Sequence, residues 1–145
     1  MPQLKEIMTP SVEIISPRAT TADAARKMKD LDVGAIPVCD GEKLLGMITD
    51  RDLVLLVMAI SRDPVQALVN EAMTPGVVVF CYEDEEAETA AELMAEKQIR
   101  RLPILARNNR LVGIVSLGDL VVDGLDTQTS GALLNNISDP SQSRR

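Results

Sequence analysis

Hydrophobic and polar positions along the chain follow two spacings, one typical of helices and one typical of strands. Between Ala24 and Leu31 the apolar residues recur on one face of a helix, whereas short apolar runs bounded by turn residues indicate strands. The first half of the chain is therefore predicted to form a strand at Val12–Ile15, a helix capped by Thr20 or Thr21, strands at Ile36–Cys39 and Leu44–Ile48, and a helix from Asp50.

The second half of the chain predicts the same elements in the same order. It should form a strand at Val77–Tyr82, a helix at Glu86–Gln98, strands at Leu102–Leu105 and Leu111–Val115, and a short helix from Leu117. The sequence itself repeats at an offset of 65 to 67 residues. The matching segments are Ile7–Pro10 with Ala72–Pro75, Ile36–Val38 with Leu102–Ile104, and Gly46–Thr49 with Gly113–Ser116. An internal repeat of this length indicates a duplicated structural unit.

Each predicted unit has too few elements to bury both of its faces, so the two units should pack together about a pseudo-two-fold axis. The expected fold class is α+β (α/β), built from two β-α-β-β-α units at residues 1–63 and 64–125. Residues 126–145 are predicted to be a partly disordered tail, in which Leu133, Leu134 and Ile137 suggest a short docked segment.

Composition disfavours some classes of function but does not identify one. The formal charge of −7 disfavours binding to nucleic acid, since neutralising a phosphate backbone needs a cationic surface. No apolar stretch approaches the length of a membrane span and the first residues lack a signal-peptide core, so we expect a cytoplasmic protein without a membrane partner.

The chain has no histidine and two distant cysteines, Cys39 and Cys81, which are predicted to be free and buried. Without histidine the usual catalytic triads and most metal sites are missing, so the sequence predicts no metal site and no enzyme. The alternative is a nucleotide hydrolase that uses Asp52 and Asp119 as paired carboxylates, and it is disfavoured because these two aspartates should belong to different sites.

Each repeat carries a Ser/Thr-x-x-Asp pattern where a strand passes into a helix, at Thr49 to Asp52 and at Ser116 to Asp119. One interpretation is structural, because the hydroxyl caps the helix and the carboxylate accepts a hydrogen bond from a free backbone N–H at the helix start. The other is functional, because such a carboxylate can also accept hydrogen bonds from a ribose diol, beside a helix start that attracts phosphate. Both interpretations can hold together.

The ordered motifs I-M-T-P, h-P-V and G-h-h-[ST]-x-x-D, present twice, resemble the CBS domain over about residues 4 to 123. The resemblance implies an intramolecular pair of such domains, a Bateman module, whose shared cleft takes AMP, ADP, ATP or a related adenosyl ligand. It implies no required cofactor, only a regulatory adenosine nucleotide.

The resemblance also assigns roles to residues. Thr49, Asp52, Ser116 and Asp119 would hold ribose in two symmetry-related sites, and Arg51, Arg100 and Arg101 would bind phosphate. The adenine slot would be formed by Ala35, Ile36, Pro37, Met47, Leu102, Pro103 and Ile114. Surface solvation or a rim salt bridge is the alternative role for each arginine.

The arginines differ between the repeats. Arg100 and Arg101 precede Pro103, whereas Gly34 and Ala35 precede Pro37. The resemblance implies that basic residues of both units meet across the cleft, so we expect Arg51 and Arg100 to serve the phosphates at an Asp119 site, and a weaker Asp52 site with Arg101 alone.

These patterns predict a regulatory module that senses an adenosine nucleotide, forms a homodimer and acts on an effector protein. The alternative is a scaffold that dimerises and binds partner proteins without a small ligand.

Overall fold

The computed structural model describes residues 2–73 and 79–138. Its helices are α1 (Leu4–Ile7), α2 (Thr21–Leu31), α3 (Asp50–Leu53), α4 (Val69–Ala72), α5 (Ala87–Lys97), α6 (Leu117–Asp119) and α7 (Thr127–Ser138). Its strands are β1 (Thr9–Pro10), β2 (Ala35–Asp40), β3 (Lys43–Thr49), β4 (Cys81–Tyr82), β5 (Arg101–Leu105) and β6 (Leu111–Ser116). Helices α3 and α6 continue as π-helical turns, at Val54–Met58 and Leu120–Gly124 respectively. The predicted α+β class is confirmed.

The chain forms two compact units. The first-repeat unit is Glu13–Val78, and the second-repeat unit combines Met1–Val12 with Val79–Arg145. This packing crosses the boundaries predicted from the sequence repeat, since residues 1–12 fold with the elements of the second repeat. Periodicity along the chain could not indicate this exchange, because it depends on contacts between residues about one hundred positions apart.

In the first-repeat unit, β2 and β3 form an antiparallel hairpin and Ile15 adds a parallel bridge to Val38. The expected strand at Val12–Ile15 is therefore reduced to that single bridge. The backbone of Pro37 faces Ile15: the Pro37 carbonyl accepts from the N–H of Ile15, and the N–H of Cys39 donates to the Ile15 carbonyl. Proline is tolerated here because the N–H that it lacks would lie on this same side. Helix α2 is capped by Thr20, as predicted from the sequence.

The core of this unit lies between the hairpin and α2. Its buried apolar side chains come from the alternate strand positions that face the helix, from α2 itself, from the turn after α3 and from the segment that includes α4. They are Ile15, Ala24, Met28, Ile36, Val38, Ile48, Val57, Ala67, Val69 and Ala72.

In the second-repeat unit the strand order is β1-β6-β5-β4, with β4 parallel to β5 and the other pairs antiparallel. Of the described residues of the predicted strand Val77–Tyr82, only Cys81 and Tyr82 pair with β5, while Val77 and Val78 lie outside the described residues. Helix α7 docks on this unit through Leu133 and Ile137, which are buried, whereas Leu134 stays exposed. The predicted docked segment is thus a helix of twelve residues.

Met8 and Thr9 of the first Met-Thr-Pro segment, and Met73 of the second, lie against the glycines of the opposite repeat. A Cβ built on Gly113 would come 2.6 Å from Met8 Sδ and 2.8 Å from the carbonyl oxygen of Thr9, and one built on Gly46 would come 2.5 Å from Met73 Cε. All three distances are shorter than real Cβ atoms tolerate. Glycine at the start of the G-h-h motif therefore allows the methionine of the other repeat to approach.

Candidate ligand site at the strand-to-helix turns

The turn between β3 and α3 is closed by a reciprocal pair of hydrogen bonds. Thr49 Oγ1 accepts from the backbone N–H of Asp52 at 3.1 Å, and Asp52 Oδ2 accepts from the backbone N–H of Thr49 at 2.9 Å. This is a capping box, so the structural interpretation of the first Ser/Thr-x-x-Asp motif is confirmed.

The turn between β6 and α6 repeats this geometry. Ser116 Oγ accepts from the backbone N–H of Asp119 at 3.1 Å, and Asp119 Oδ2 accepts from the backbone N–H of Ser116 at 2.9 Å. Within residues 2–73 and 79–138, no hydrogen bond uses the other carboxylate oxygen, Asp119 Oδ1. The cap therefore fixes a half-buried carboxylate and leaves it one acceptor oxygen for a ligand.

The hairpin register decides which predicted residues share a face with these turns. Arg101 pairs with Ser116, and Pro103 pairs with Ile114, so these four lie on one face of β5 and β6. The first repeat matches this arrangement, because Ala35 pairs with Thr49 and Pro37 pairs with Met47. The structure thus brings together the predicted ribose residues and most of the predicted slot within each repeat.

Two predicted slot residues require correction. Ile36 and Leu102 alternate with the residues above, so their side chains point to the opposite face and are packed in the core of their unit. Their exposed fractions are 1% and 0%. Only the backbone groups of Ile36 and Leu102 can therefore contribute to a slot, and their place in it stays a prediction for the backbone alone.

Thr9 is a candidate site residue that sequence reasoning missed. Strand β1 pairs with β6 so that Thr9 lies opposite Ile114, and its side chain is exposed on the slot face. The recurring Met-Thr-Pro segment was a usable signal, although it served only to define the repeat. Its counterpart Thr74 lies outside the described residues.

Charge differs between the two turns. The backbone N–H of Asp50 donates to the Gly34 carbonyl at 2.9 Å, and the N–H of Leu117 donates to the Arg100 carbonyl at 2.8 Å, so Gly34 and Arg100 occupy equivalent positions. A side chain at Gly34 would begin 3.0 Å from a carboxylate oxygen of Asp50. The first turn thus has an acid where the second has an apolar residue, and it has no arginine at the position of Arg100.

As a result, the first turn carries two carboxylates, Asp50 and Asp52, and one guanidinium, Arg51. The second carries one carboxylate, Asp119, and two guanidinium groups, Arg100 and Arg101. All three arginines are exposed, and none forms a salt bridge with another residue in the described ranges. The local balance favours an anion at the second turn.

Arg107, in contrast to these three arginines, has a structural role. Its Nε lies 3.0 Å from Asp84 Oδ2, and its guanidinium lies 4.2 Å from the ring centroid of Tyr82. The hydrogen bonds from Arg107 hold the pKa of Asp84 below its ordinary value. Arg107 therefore fastens the loop after β5 to the segment after β4 and is not a candidate for ligand binding.

A model of the protein family described as CBS domain matches residues 4–59 and 69–123. The chain belongs to the CBS-domain family. It is similar to the CBS domain-containing protein YhcV of Bacillus subtilis (strain 168), with 44% identity over 95% of this chain and 96% of the relative. The resemblance that the sequence motifs suggested is thereby confirmed, and the chain is a regulatory module of tandem CBS domains.

Two similar solved structures show a ligand of one related protein and the oligomer of another. CBSX2 in complex with AMP is 27% identical, with a TM-score of 0.71 over 82% of this chain and 93% of that one. The hexameric CBS-CP12 protein from bloom-forming cyanobacteria is 32% identical, with a TM-score of 0.72 over 85% of this chain and 71% of that one. Separately, no helix in residues 2–73 and 79–138 of this chain has the length and apolar character needed to cross a membrane.

Proposed function

We propose that this CBS-domain protein is a sensor that binds an adenosine-type nucleotide, with its stronger site at Asp119. The observation that carries the proposal is the fixed carboxylate of Asp119, whose Oδ1 accepts no hydrogen bond from a described residue, beside Arg100 and Arg101, which form no salt bridge within residues 2–73 and 79–138. The AMP complex of the related CBSX2 supports the choice of ligand class.

Ribose is the group that Asp119 suits best. A carboxylate oxygen can accept hydrogen bonds from the two hydroxyls of a vicinal diol, as acids do at other nucleotide sites. Because the capping box holds Oδ2, the carboxylate is oriented before the ligand arrives. Ser116 fixes this orientation and contributes its hydroxyl to the same face. Thr49 and Asp52 have the same roles in the weaker site.

Phosphate binding falls to the arginines. Guanidinium groups pair with phosphate oxygens in a forked geometry, and in a chain of net charge −7 a local excess of cations selects small anions. Arg101 lies across the strand pair from Ser116, and Arg100 precedes it at the start of β5. The assignment of Arg51 to the same ligand rests on the sequence resemblance.

Adenine would lie on the apolar face shared with the turns. In the second repeat this face offers Pro103, Ile114 and the newly found Thr9, and in the first repeat it offers Ala35, Pro37 and Met47. Apart from the Thr9 hydroxyl, these side chains are apolar and non-aromatic, so they can pack against a planar base without stacking on an aromatic ring.

Isothermal titration of AMP, ADP and ATP into matched Asp119→Asn and Asp52→Asn proteins tests the proposal. Asparagine keeps the oxygen that caps the helix but replaces a carboxylate acceptor with a donor, so folding should be kept while ribose binding weakens. We expect Asp119→Asn to weaken the tightest site by at least about tenfold, the value of a hydrogen bond to a charged group, and Asp52→Asn to leave it nearly unchanged. Equal losses in both proteins would contradict the asymmetry, and absence of binding to the unmodified chain would contradict nucleotide sensing.

We also propose that the chain associates with copies of itself. The hexameric CBS-CP12 protein supports self-association, and so does an exposed apolar helical turn in the first-repeat unit. Association without any nucleotide would correspond to the scaffold function. Titration separates the two functions, because a scaffold would show no heat of nucleotide binding.

A further inference from the structure

Helix α7 packs against the π-helical turn that begins immediately after Asp119. Leu120, the first residue of that turn, is fully buried and lies in one apolar cluster with Leu133 and Ile137 of α7. Helix α7 also packs along α5, the helix that leads into β5 and its two arginines. It therefore contacts an element next to each half of the proposed site, the ribose-binding turn and the arginine segment.

Gln98 joins α7 to the segment that carries the arginines. It ends α5 in the left-handed region, at φ 55°, and it is buried. Its Nε2 donates to the carbonyl of Ala95 at 2.9 Å and to the carbonyl of Asn136, in α7, at 2.8 Å. Two residues further on, the Arg100 carbonyl accepts from the backbone N–H of Leu117, in the turn between β6 and α6. A short path of hydrogen bonds and backbone thus runs from α7 through Gln98 to Arg100 and this turn.

Helix α7 depends on its docking to stay helical. Seven of its twelve residues are Thr, Ser, Asn or Gly, which form helices less readily than Ala or Leu, and a helix of this length is marginal when isolated. Its docked state also has a cost, because Gln98 Oε1 and Ser130 Oγ are buried without a hydrogen-bond partner within residues 2–73 and 79–138. A docked and a released state of α7 can therefore exchange while the rest of the second-repeat unit stays folded.

We propose that α7 reports whether the Asp119 site is occupied, and that Gln98 is the positioning residue between them. The inference rests on the nucleotide site proposed above and assigns its regulation. Docked α7 supports the turn after Asp119 and, through Gln98, the start of β5, so it holds Asp119 and Arg100 in one arrangement. A nucleotide that binds this arrangement more tightly than the loosened one shifts α7 toward the docked state. By the same linkage, docking of α7 strengthens nucleotide binding by an equal factor.

Hydrogen exchange of the backbone amides of α7, measured on the full chain with and without a saturating nucleotide, tests this coupling. The nucleotide is whichever of AMP, ADP and ATP binds tightest in the titration above. Without it, the α7 amides should exchange faster than those of β5 and β6, because α7 opens separately. With it, the protection of α7 should rise by at least about fivefold, the lower end of ordinary coupling between sites.

Gln98→Gly removes the side chain that joins α7 to β5, and Asp32→Gly is its matched control. Asp32 is the equivalent left-handed cap of α2, also at φ 55°, but it is exposed. Glycine adopts this conformation without strain, so both variants should fold. We expect Gln98→Gly to reduce the nucleotide-induced rise at α7 by at least about twofold, the lower value for one hydrogen bond, and Asp32→Gly to leave it unchanged. A purely structural role of Gln98 would lower protection equally with and without nucleotide and would leave the rise unchanged.

Each outcome separates the coupling from the nucleotide site. If no nucleotide binds to the unmodified chain, both proposals are wrong. If one binds and the protection of α7 does not rise, or α7 exchanges as slowly as β5 and β6, the nucleotide site stands and the coupling is wrong. An equal rise in the Gln98→Gly and Asp32→Gly proteins would overturn the role of Gln98. Circular dichroism shows whether each variant is folded, and Gln98→Asn, whose amide is one methylene shorter, provides a second test of the same lost hydrogen bond.

Discussion

Gly113 shows how the absence of a side chain at one position allows two distant segments of the chain to make contact. A Cβ at this position would meet backbone, the Thr9 carbonyl, whereas one at Gly46 would meet only the flexible end of Met73. We expect Gly113→Ala to lower the free energy of unfolding by about 1–3 kcal/mol, the range for overpacked cores, and Gly46→Ala to lower it less.

Gly131 is the matched control for these substitutions. It lies within α7, and a Cβ there would meet nothing within 4 Å. Because alanine is the better helix former, Gly131→Ala should raise the free energy of unfolding by about 0.5–1 kcal/mol. Urea denaturation of the three proteins measures the series. Destabilisation by Gly131→Ala similar to that of Gly113→Ala would contradict the explanation by close approach.

Cys81 makes the stability of the second-repeat unit dependent on alkaline pH. Burial raises the pKa of its thiol from 9.0 to about 12, and the nearby Glu85 carboxylate adds to the shift. In the unfolded chain the thiol loses its proton near pH 9, so between about pH 9 and 12 the unfolded state binds fewer protons. Stability should therefore fall as the pH rises through this range.

A Cys81→Ala protein removes this titration. Its melting temperature should fall less steeply between neutral and alkaline pH than that of the unmodified chain, as measured by differential scanning calorimetry. Parallel pH profiles for the two proteins would mean that the thiol does not contribute.

At the scale of elements, α7 is the part of the second-repeat unit with no counterpart in the first. Leu133 is buried in the core, while its neighbour Leu134 is 41% exposed. We expect Leu133→Ala to cost about 2–5 kcal/mol of unfolding free energy because it leaves a cavity, and Leu134→Ala to cost less than about 1 kcal/mol. Chemical denaturation compares them, and equal losses would show that α7 does not dock through Leu133.

Elements defined by local pattern could be predicted from the sequence. The helical spacing from Ala24, the two hairpins and both capping boxes depend on residues a few positions apart, and the structure has them where the pattern indicated. To predict which side of the sheet a strand residue faces, the register of the strand is needed as well. Ile36 and Leu102 were assigned to the slot together with the adjoining prolines, although neighbouring residues in a strand face opposite sides.

Pairing between distant segments could not be predicted from the local sequence pattern. The pairing of Thr9 with Ile114 and the packing of Met73 against Gly46 join different repeats, and no periodicity within one segment contains that information. The same limit explains why Thr9 was missed as a site residue. Its place near Ser116 and Arg101 depends on which strand β1 joins.

For the whole molecule, residues 1–12 pack with the second repeat and α4 packs with the first, so we expect the two sequence repeats to depend on each other for folding. A cut between residues 63 and 64 separates the second repeat from Leu4, which is fully buried in its core, and from β1. The same cut separates the first repeat from α4, whose Val69 and Ala72 are fully buried in the other core. Each fragment would therefore lack part of its own core.

We expect fragments 1–63 and 64–145 to be unfolded when separate and to fold when mixed in equal amounts. Each lost segment contains at least one fully buried side chain, and a loss of about 2–5 kcal/mol for one such residue is comparable to the whole stability of a small domain. Backbone amide spectra would show narrow dispersion for each fragment and native dispersion for the mixture. Native dispersion in fragment 64–145 alone would mean that the second repeat completes its core without residues 1–12, and that the exchanged segment is an addition to a domain that already folds.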